Sequence, residues 1–167
     1  SLHDALPIYF SGIGNNSTTS LTSFYWRDTL PTQAVRLDKI ITGTYNVPGN
    51  YKVVYQTNLS GGTWRTMYDN LSTMQNYTLD ASPAALGLAS NEYVTQFMVS
   101  FGVVPSNFRQ VEAPRVYCNV VSWLTGGTQF VNQADVGGVY DGQWIMATSR
   151  WVTKVYKPSE PLPRTGY

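Results

Sequence analysis

Residues 24–30 read Phe-Tyr-Trp-Arg-Asp-Thr-Leu, and residues 130–136 read Phe-Val-Asn-Gln-Ala-Asp-Val. Both stretches alternate, and in a β-strand successive side chains point to opposite faces of the sheet. Trp26 and Asp28 therefore share one face of the first strand, and Asn132 lies on the apolar face of the second. Each of these two strands is predicted to point a polar side chain toward the core.

The same alternation recurs along the chain between clusters of Gly, Pro and Asn, and no long helical periodicity is present. The candidate strands are 8–11, 24–30, 34–42, 51–57, 63–68, 93–101, 116–124, 129–136 and 143–156. The pattern predicts an all-β, immunoglobulin-like antiparallel β-sandwich over residues 9–156. A division into two domains near residues 76–91 is the alternative. The predicted core members are Trp26, Phe97, Phe101, Trp123 and Phe130.

The composition excludes several classes of protein. The formal charge is +1, only 13% of residues are charged, and there is no basic run, so neither nucleic acid nor an acidic membrane surface is an expected partner. The single cysteine, Cys118, rules out an intrachain disulfide and is expected to be a small buried side chain. No stretch approaches the roughly 20 apolar residues that a bilayer span needs.

The two ends of the chain differ from its body. Residues 1–8 resemble a sequencing adapter translated at the end of an assembled contig, and we expect them, including His3, to be non-native and outside the fold. Residues 157–167 contain three prolines, which predicts a disordered, extended linker.

A short motif lies in this linker: Leu162-Pro163-Arg164-Thr165-Gly166. It resembles the LPxTG signal that sortases recognise in cell-wall proteins of Gram-positive bacteria. The resemblance implies cleavage between Thr165 and Gly166 and an amide link from Thr165 to peptidoglycan. Pro163 fixes a bend in an extended segment, and Gly166 leaves the scissile carbonyl uncrowded. The apolar anchor that the family carries after the motif is missing here, and contact with a membrane is expected only through such an anchor.

The body resembles, diffusely, a domain repeated in surface proteins of the adhesin and pilin type. The similar segments are residues 9–16, residues 24–31, which end in an Asp-Thr-Leu-Pro box, and residues 130–136. Some of these domains contain an isopeptide crosslink, in which a Lys amine condenses with a buried Asn, assisted by a carboxyl group of raised pKa.

The resemblance implies an assisting role for Asp28 and an acceptor role for Asn132. The matching Lys of the family precedes the position of Tyr9, and Lys39 is the substitute inside the chain, since it is in phase with Val35 and Leu37. The alternative, which the residues favour, is that Asp28 bonds turn amides at a strand end and Asn132 satisfies backbone groups.

An enzyme is not expected. With His3 set aside the chain has no histidine, so Cys118 has no imidazole partner and serine or cysteine triads are excluded. We predict no metal site and no cofactor. The rival function is a carbohydrate-binding module whose exposed aromatic side chains would stack on sugars, against the alternative that they pack in the core. Its candidate residues are Tyr51, Tyr55, Trp64, Tyr68, Trp144 and Trp151.

The sequence therefore predicts a stalk, spacer or adhesin module of a secreted surface protein that is anchored in the bacterial cell wall. The implied partners are a sortase and peptidoglycan. A host or glycan ligand of the full-length protein is left open.

Overall fold

The computed structural model describes residues 6–10 and 12–154, and within them the side chains of residue 10 and residues 12–148. Within these described residues, twelve strands and one short helix follow each other. The strands are β1 (Leu6–Tyr9), β2 (Leu21–Thr29), β3 (Val35–Ile41), β4 (Thr44–Tyr45), β5 (Asn50–Thr57), β6 (Arg65–Ser72), β7 (Thr78–Asp80), β8 (Val94–Val104), β9 (Gln110–Glu112), β10 (Arg115–Val120), β11 (Gln129–Tyr140) and β12 (Gln143–Lys154). The helix α1 is Pro83–Leu86, between β7 and β8.

The strands form an antiparallel β-sandwich of immunoglobulin-like character, as the alternating pattern predicts. A four-stranded sheet has the order β1-β10-β3-β7, and a six-stranded sheet has the order β12-β11-β2-β8-β5-β6. A small pair, β4-β9, completes the structure. Residues 6–8, which the sequence reasoning excluded from the fold, form part of β1, and β1 pairs with β10.

Apolar side chains of both sheets form one contiguous core. Trp26 lies at its centre, with its ring centroid 4.9 Å from that of Phe10 and 5.6 Å from that of Phe97. Large aromatic side chains each remove a large apolar area from water, so this cluster supplies much of the stability. The predictions that Trp26, Phe97, Phe101 and Phe130 are buried are confirmed.

Trp123 was predicted to belong to this core, and that prediction is wrong. Its side chain is 69% exposed. The reason is that β10 ends at Val120, whereas the sequence pattern extends the strand to residue 124. Beyond Val120 the chain turns, with the Leu124 amide donating to the Val121 carbonyl, so the alternation of faces no longer applies.

One buried hydrogen-bond chain fixes the central tryptophan. Nε1 of Trp26 donates to Oη of Tyr45 at 2.9 Å, and Oη of Tyr45 donates to the Thr42 carbonyl at 3.2 Å. Tyr45 is 1% exposed and Trp26 is 0% exposed. Neither the indole N–H nor the carbonyl could turn to water if the hydroxyl were removed.

We expect Tyr45→Phe to lower the free energy of unfolding by about 1–3 kcal/mol, because it leaves the Trp26 indole N–H without an acceptor. Urea denaturation at neutral pH measures the loss. The matched control is Tyr68→Phe, since the Tyr68 hydroxyl donates to the Asp80 carbonyl at the exposed surface, where water replaces it. Equal losses in the two variants would contradict the prediction.

Candidate functional site

The candidate site lies on the inner face of the six-stranded sheet, where β2 and β11 are neighbours. Asp28 of β2 is in register with Ala134 of β11, and Asn132 is the next residue of β11 on the same face. Asp28 and Asn132 are both 0% exposed, which confirms that each strand points a polar side chain into the core. The cost of burying these groups depends on whether their polar atoms find partners.

The two side chains bond each other. Nδ2 of Asn132 donates to Oδ2 of Asp28 at 3.1 Å. The other oxygen of each group, Oδ1 of Asp28 and Oδ1 of Asn132, has no hydrogen-bond partner among the described residues. Two acceptors are therefore left over, and a proton on the carboxyl group would supply the donor that a carboxylate lacks.

The electrostatic environment favours that proton. Burial raises the pKa of Asp28 from 3.8 to about 7, against a lowering by the hydrogen bond from Asn132, while the charge of Asp135 raises it further. A carboxyl group in this state can donate a hydrogen bond at neutral pH. If it donates to the Asn132 carbonyl oxygen, it withdraws electrons from Cγ and makes that carbon a better acceptor for a nucleophile.

Cys118 lies across the sandwich on the inner face of β10 and is 3% exposed, as predicted for a small buried side chain. Burial raises the pKa of its thiol well above the ordinary value, and the negative charges of Asp28 and Asp38 raise it further. The side chain therefore remains a thiol and is a poor nucleophile. Its position shows that Asp28 and this residue of the opposite sheet lie within electrostatic range.

Lys39 does not join the pair, so the prediction that it substitutes for the missing amine is wrong. The register between β3 and β10 shifts at this point. Tyr117 pairs with Lys39, but the next residue of β10, Cys118, pairs with Leu37. The extra residue between them places Lys39 and Leu37 on opposite faces. The Lys39 amine lies 4.7 Å from the ring centroid of Tyr117, and Leu37 is buried.

No amine from the described side chains reaches the buried pair. Lys39 is half-buried on the outer face, and Lys52 is exposed. The described residues therefore place a buried amide and a buried carboxyl group side by side, with no described amine next to them. The alternative favoured by the sequence, that Asn132 satisfies backbone groups and Asp28 bonds turn amides, is also wrong, because their bond is to each other.

The outer face of the same strands carries an ion pair that the sequence reasoning did not identify. Arg27 Nη2 lies 2.6 Å from Oδ2 of Asp135, and Thr148 Oγ1 donates to Oδ1 of Asp135 at 2.7 Å. Burial alone would raise the pKa of Asp135, but the hydrogen bonds from Thr148 and Arg27 outweigh it and lower this pKa. The alternating pattern could have indicated this pair, since Arg27 and Asp135 lie on the faces of their strands opposite to Asp28 and Asn132.

The aromatic residues proposed for sugar binding are mostly engaged elsewhere. Tyr51 and Tyr55 are buried, and Tyr68 packs against the core. Trp144 is 66% exposed, but its nearest described ring, that of Tyr25, is inclined by 62° and forms no flat platform with it. Trp64 is half-buried, and the side chain of Trp151 lies outside the described part.

The sortase motif, Leu162, Pro163, Arg164, Thr165 and Gly166, also lies outside the described residues. In the described part of the chain, no helix has the length and apolar character that a bilayer crossing requires. Within residues 6–10 and 12–154, no cluster of three or more His, Cys, Asp or Glu side chains is arranged to hold a metal ion. Comparison with family models, curated proteins and solved structures gave no match.

Proposed function

We propose that this chain is a structural module of a bacterial surface protein that a sortase attaches to peptidoglycan. The observation that carries the proposal is the motif at residues 162–166, which follows a proline-containing segment. In such a protein the sandwich acts as a stalk, spacer or adhesin module outside the cell. The chain has no catalytic role in this proposal and is the substrate of the sortase.

The described residues support a structural role by their arrangement. The core joins both sheets, and the three buried polar groups at the β2–β11 contact, Asp28, Asn132 and Asp135, bond within the protein. Cys118 is a buried thiol, and no histidine occurs among the described residues. None of these groups forms the nucleophile-and-base pair that covalent catalysis needs.

Asp28 and Asn132 add a second element to the proposal, which is that they are the acceptor half of an amide crosslink. The support is a fully buried carboxyl–amide pair with a raised carboxyl pKa. Condensation would join a lysine Nζ to Cγ of Asn132 and release the amide nitrogen as ammonia. The amine must come from a residue other than Lys39 or Lys52.

Incubation of the full chain with a housekeeping sortase and a triglycine nucleophile tests the anchoring function. The sortase cysteine attacks the Thr165 carbonyl and releases the dipeptide Gly166-Tyr167, and the triglycine amine then displaces the enzyme. We expect mass spectrometry to show complete replacement of Gly166-Tyr167 by triglycine.

The matched control for this reaction is Pro163→Ala, which removes the fixed bend and keeps the remaining motif. We expect this variant to stay uncleaved over the time in which the unmodified chain reacts. An intact unmodified chain, beside a motif peptide that the same enzyme cleaves, would overturn the proposal.

A further inference from the structure

A groove lies beside the first residues of β3, away from the buried pair. It has a volume of about 470 Å³ and lies between the segment before β8 and the turn after β10. Arg36, Glu92, Tyr93 and Trp123 are among its lining residues. The Asp28–Asn132 pair is not among the residues that line this groove.

Arg36 is held rigidly in the groove by two kinds of contact. Its Nη1 donates to the carbonyls of Thr32 and Val35, the latter at 2.9 Å. Its guanidinium carbon lies 4.1 Å from the ring centroid of Tyr93 and 5.5 Å from that of Trp123. A guanidinium fixed between two aromatic rings and two carbonyls loses little freedom when it binds an anion.

Among the described residues, Arg36 has no acidic partner. Arg36 forms no ion pair with a described residue, and its Nε and Nη2 donate to none of them. The Nε–H and Nη2–H groups of the planar guanidinium therefore stay available for an external acceptor. Carboxylates suit this fork because two parallel hydrogen bonds can form at once.

Glu92 is the one acidic residue that lines the groove in its described part, and its oxygens are occupied. Oε2 accepts hydrogen bonds from Thr57 Oγ1 at 2.6 Å and from Arg65 Nη1 at 2.9 Å, and Oε1 accepts one from the Ala89 amide. The charge of Arg65 offsets that of Glu92. An anion in the groove therefore meets the charge of Arg36 without an opposing unpaired carboxylate.

Trp123 supplies the apolar half of the site. Its side chain is 69% exposed, whereas several of the large aromatic groups of the described residues fill the core. The exposed amide residue Asn91 lies on the same groove. An exposed indole face next to a fixed guanidinium presents a stacking surface and an anion site side by side.

We infer that this groove binds acidic sugars, with the sugar carboxylate on Arg36 and the flat C–H face of the pyranose ring on Trp123. A uronic acid carries both features on one rigid ring. An acidic peptide offers the carboxylate on a flexible side chain without the flat ring, and a neutral sugar lacks the anion. This inference concerns a ligand of the module and does not depend on cleavage by a sortase.

Titration of the full chain with trigalacturonate, followed by calorimetry and tryptophan fluorescence, tests the inference. We expect saturable binding, and we expect Arg36→Gln and Trp123→Ala each to weaken it roughly tenfold or more. Trp123→Ala alters an exposed side chain, so it tests the site even if Arg36→Gln does not fold. The matched controls are Arg109→Gln and Trp144→Ala, an exposed arginine and an exposed tryptophan outside the groove, which should bind like the unmodified chain.

Two further ligands test whether binding needs both the carboxylate and the sugar ring. Galactotriose, the neutral counterpart, and a triglutamate peptide should both bind more weakly than trigalacturonate. No binding of trigalacturonate, equal binding of either alternative ligand, or equal weakening by Arg109→Gln would each overturn the inference.

Discussion

We expect the free energy of unfolding to fall by roughly 4 kcal/mol as the pH rises from about 4 to about 8, because of one buried carboxyl group. Burial raises the pKa of Asp28 from 3.8 to about 7, against a lowering by the hydrogen bond from Asn132. In the unfolded chain the same group titrates near its ordinary value. Between the two values the folded protein binds more protons than the unfolded chain, so stability falls with rising pH and levels off above about pH 7.

The variant Asp28→Asn isolates this group. The new amide has nearly the same shape, carries no charge, and offers a donor for the unpartnered Oδ1 of Asn132. We expect the variant to match the unmodified protein near about pH 4 and to exceed its stability by roughly 3–4 kcal/mol at about pH 8. Urea denaturation at each pH, followed by tryptophan fluorescence, measures the difference.

The neighbouring titratable groups Asp135 and Cys118 do not titrate in this pH range. The hydrogen bonds from Thr148 and Arg27 outweigh burial and lower the pKa of Asp135, so it titrates below the window, and burial moves the thiol of Cys118 above it. Any slope that remains in Asp28→Asn belongs to other groups. Parallel stability profiles of the variant and the unmodified protein would contradict the prediction.

Local pattern was sufficient to predict the longer strands but not the shortest ones. Alternation predicted β2 and β11, and Asp141 and Gly142 form the tight turn between β11 and β12, where both residues have positive φ (48° and 74°). The strands β4, β7 and β9 contain only two or three residues, which is too few to show alternation. Their pairing depends on tertiary contacts that a local pattern does not contain.

The candidate site shows the same division. Alternation predicted that Asp28 and Asn132 point inward, because a strand fixes the face of each residue. Their mutual hydrogen bond joins residues 104 positions apart and depends on which strands become neighbours. Lys39 was misplaced because a single extra residue in β3 inverts every face that follows it, and no residue of that segment signals the irregularity.

The groove around Arg36 was missed for a related reason. Its parts come from β3, from the segment before β8 and from the turn after β10. The wrong prediction that Trp123 is buried also hid the groove, since a tryptophan assigned to the core is not considered as a binding residue at the surface. Exposed aromatic residues in turns are therefore better candidates for binding than those in alternating strands, whose inward members are buried.

If Asp28 and Asn132 are the acceptor half of a crosslink, as proposed above, an amine placed next to them should form the bond. We expect Cys118→Lys to place a lysine on the inner face of β10, within electrostatic range of Asp28. Burial lowers the pKa of such an amine and favours its neutral, nucleophilic form, while protonated Asp28 polarises the Asn132 carbonyl. Attack on Cγ of Asn132 forms an amide bond and releases ammonia, so intact mass spectrometry should show the loss of one ammonia.

The new bond would close a loop of about 15 residues, and by analogy with a disulfide of that span it should add roughly 3 kcal/mol to the free energy of unfolding. Adding Asp28→Asn or Asn132→Ala to Cys118→Lys should abolish the mass loss, since each removes one partner of the reaction. Val116→Lys places the amine at the neighbouring inward position of β10 and serves if Cys118→Lys does not fold. A folded lysine variant of full mass would mean that the pair is a purely structural contact, because burial, a raised carboxyl pKa and a nearby amine would then be insufficient for the reaction.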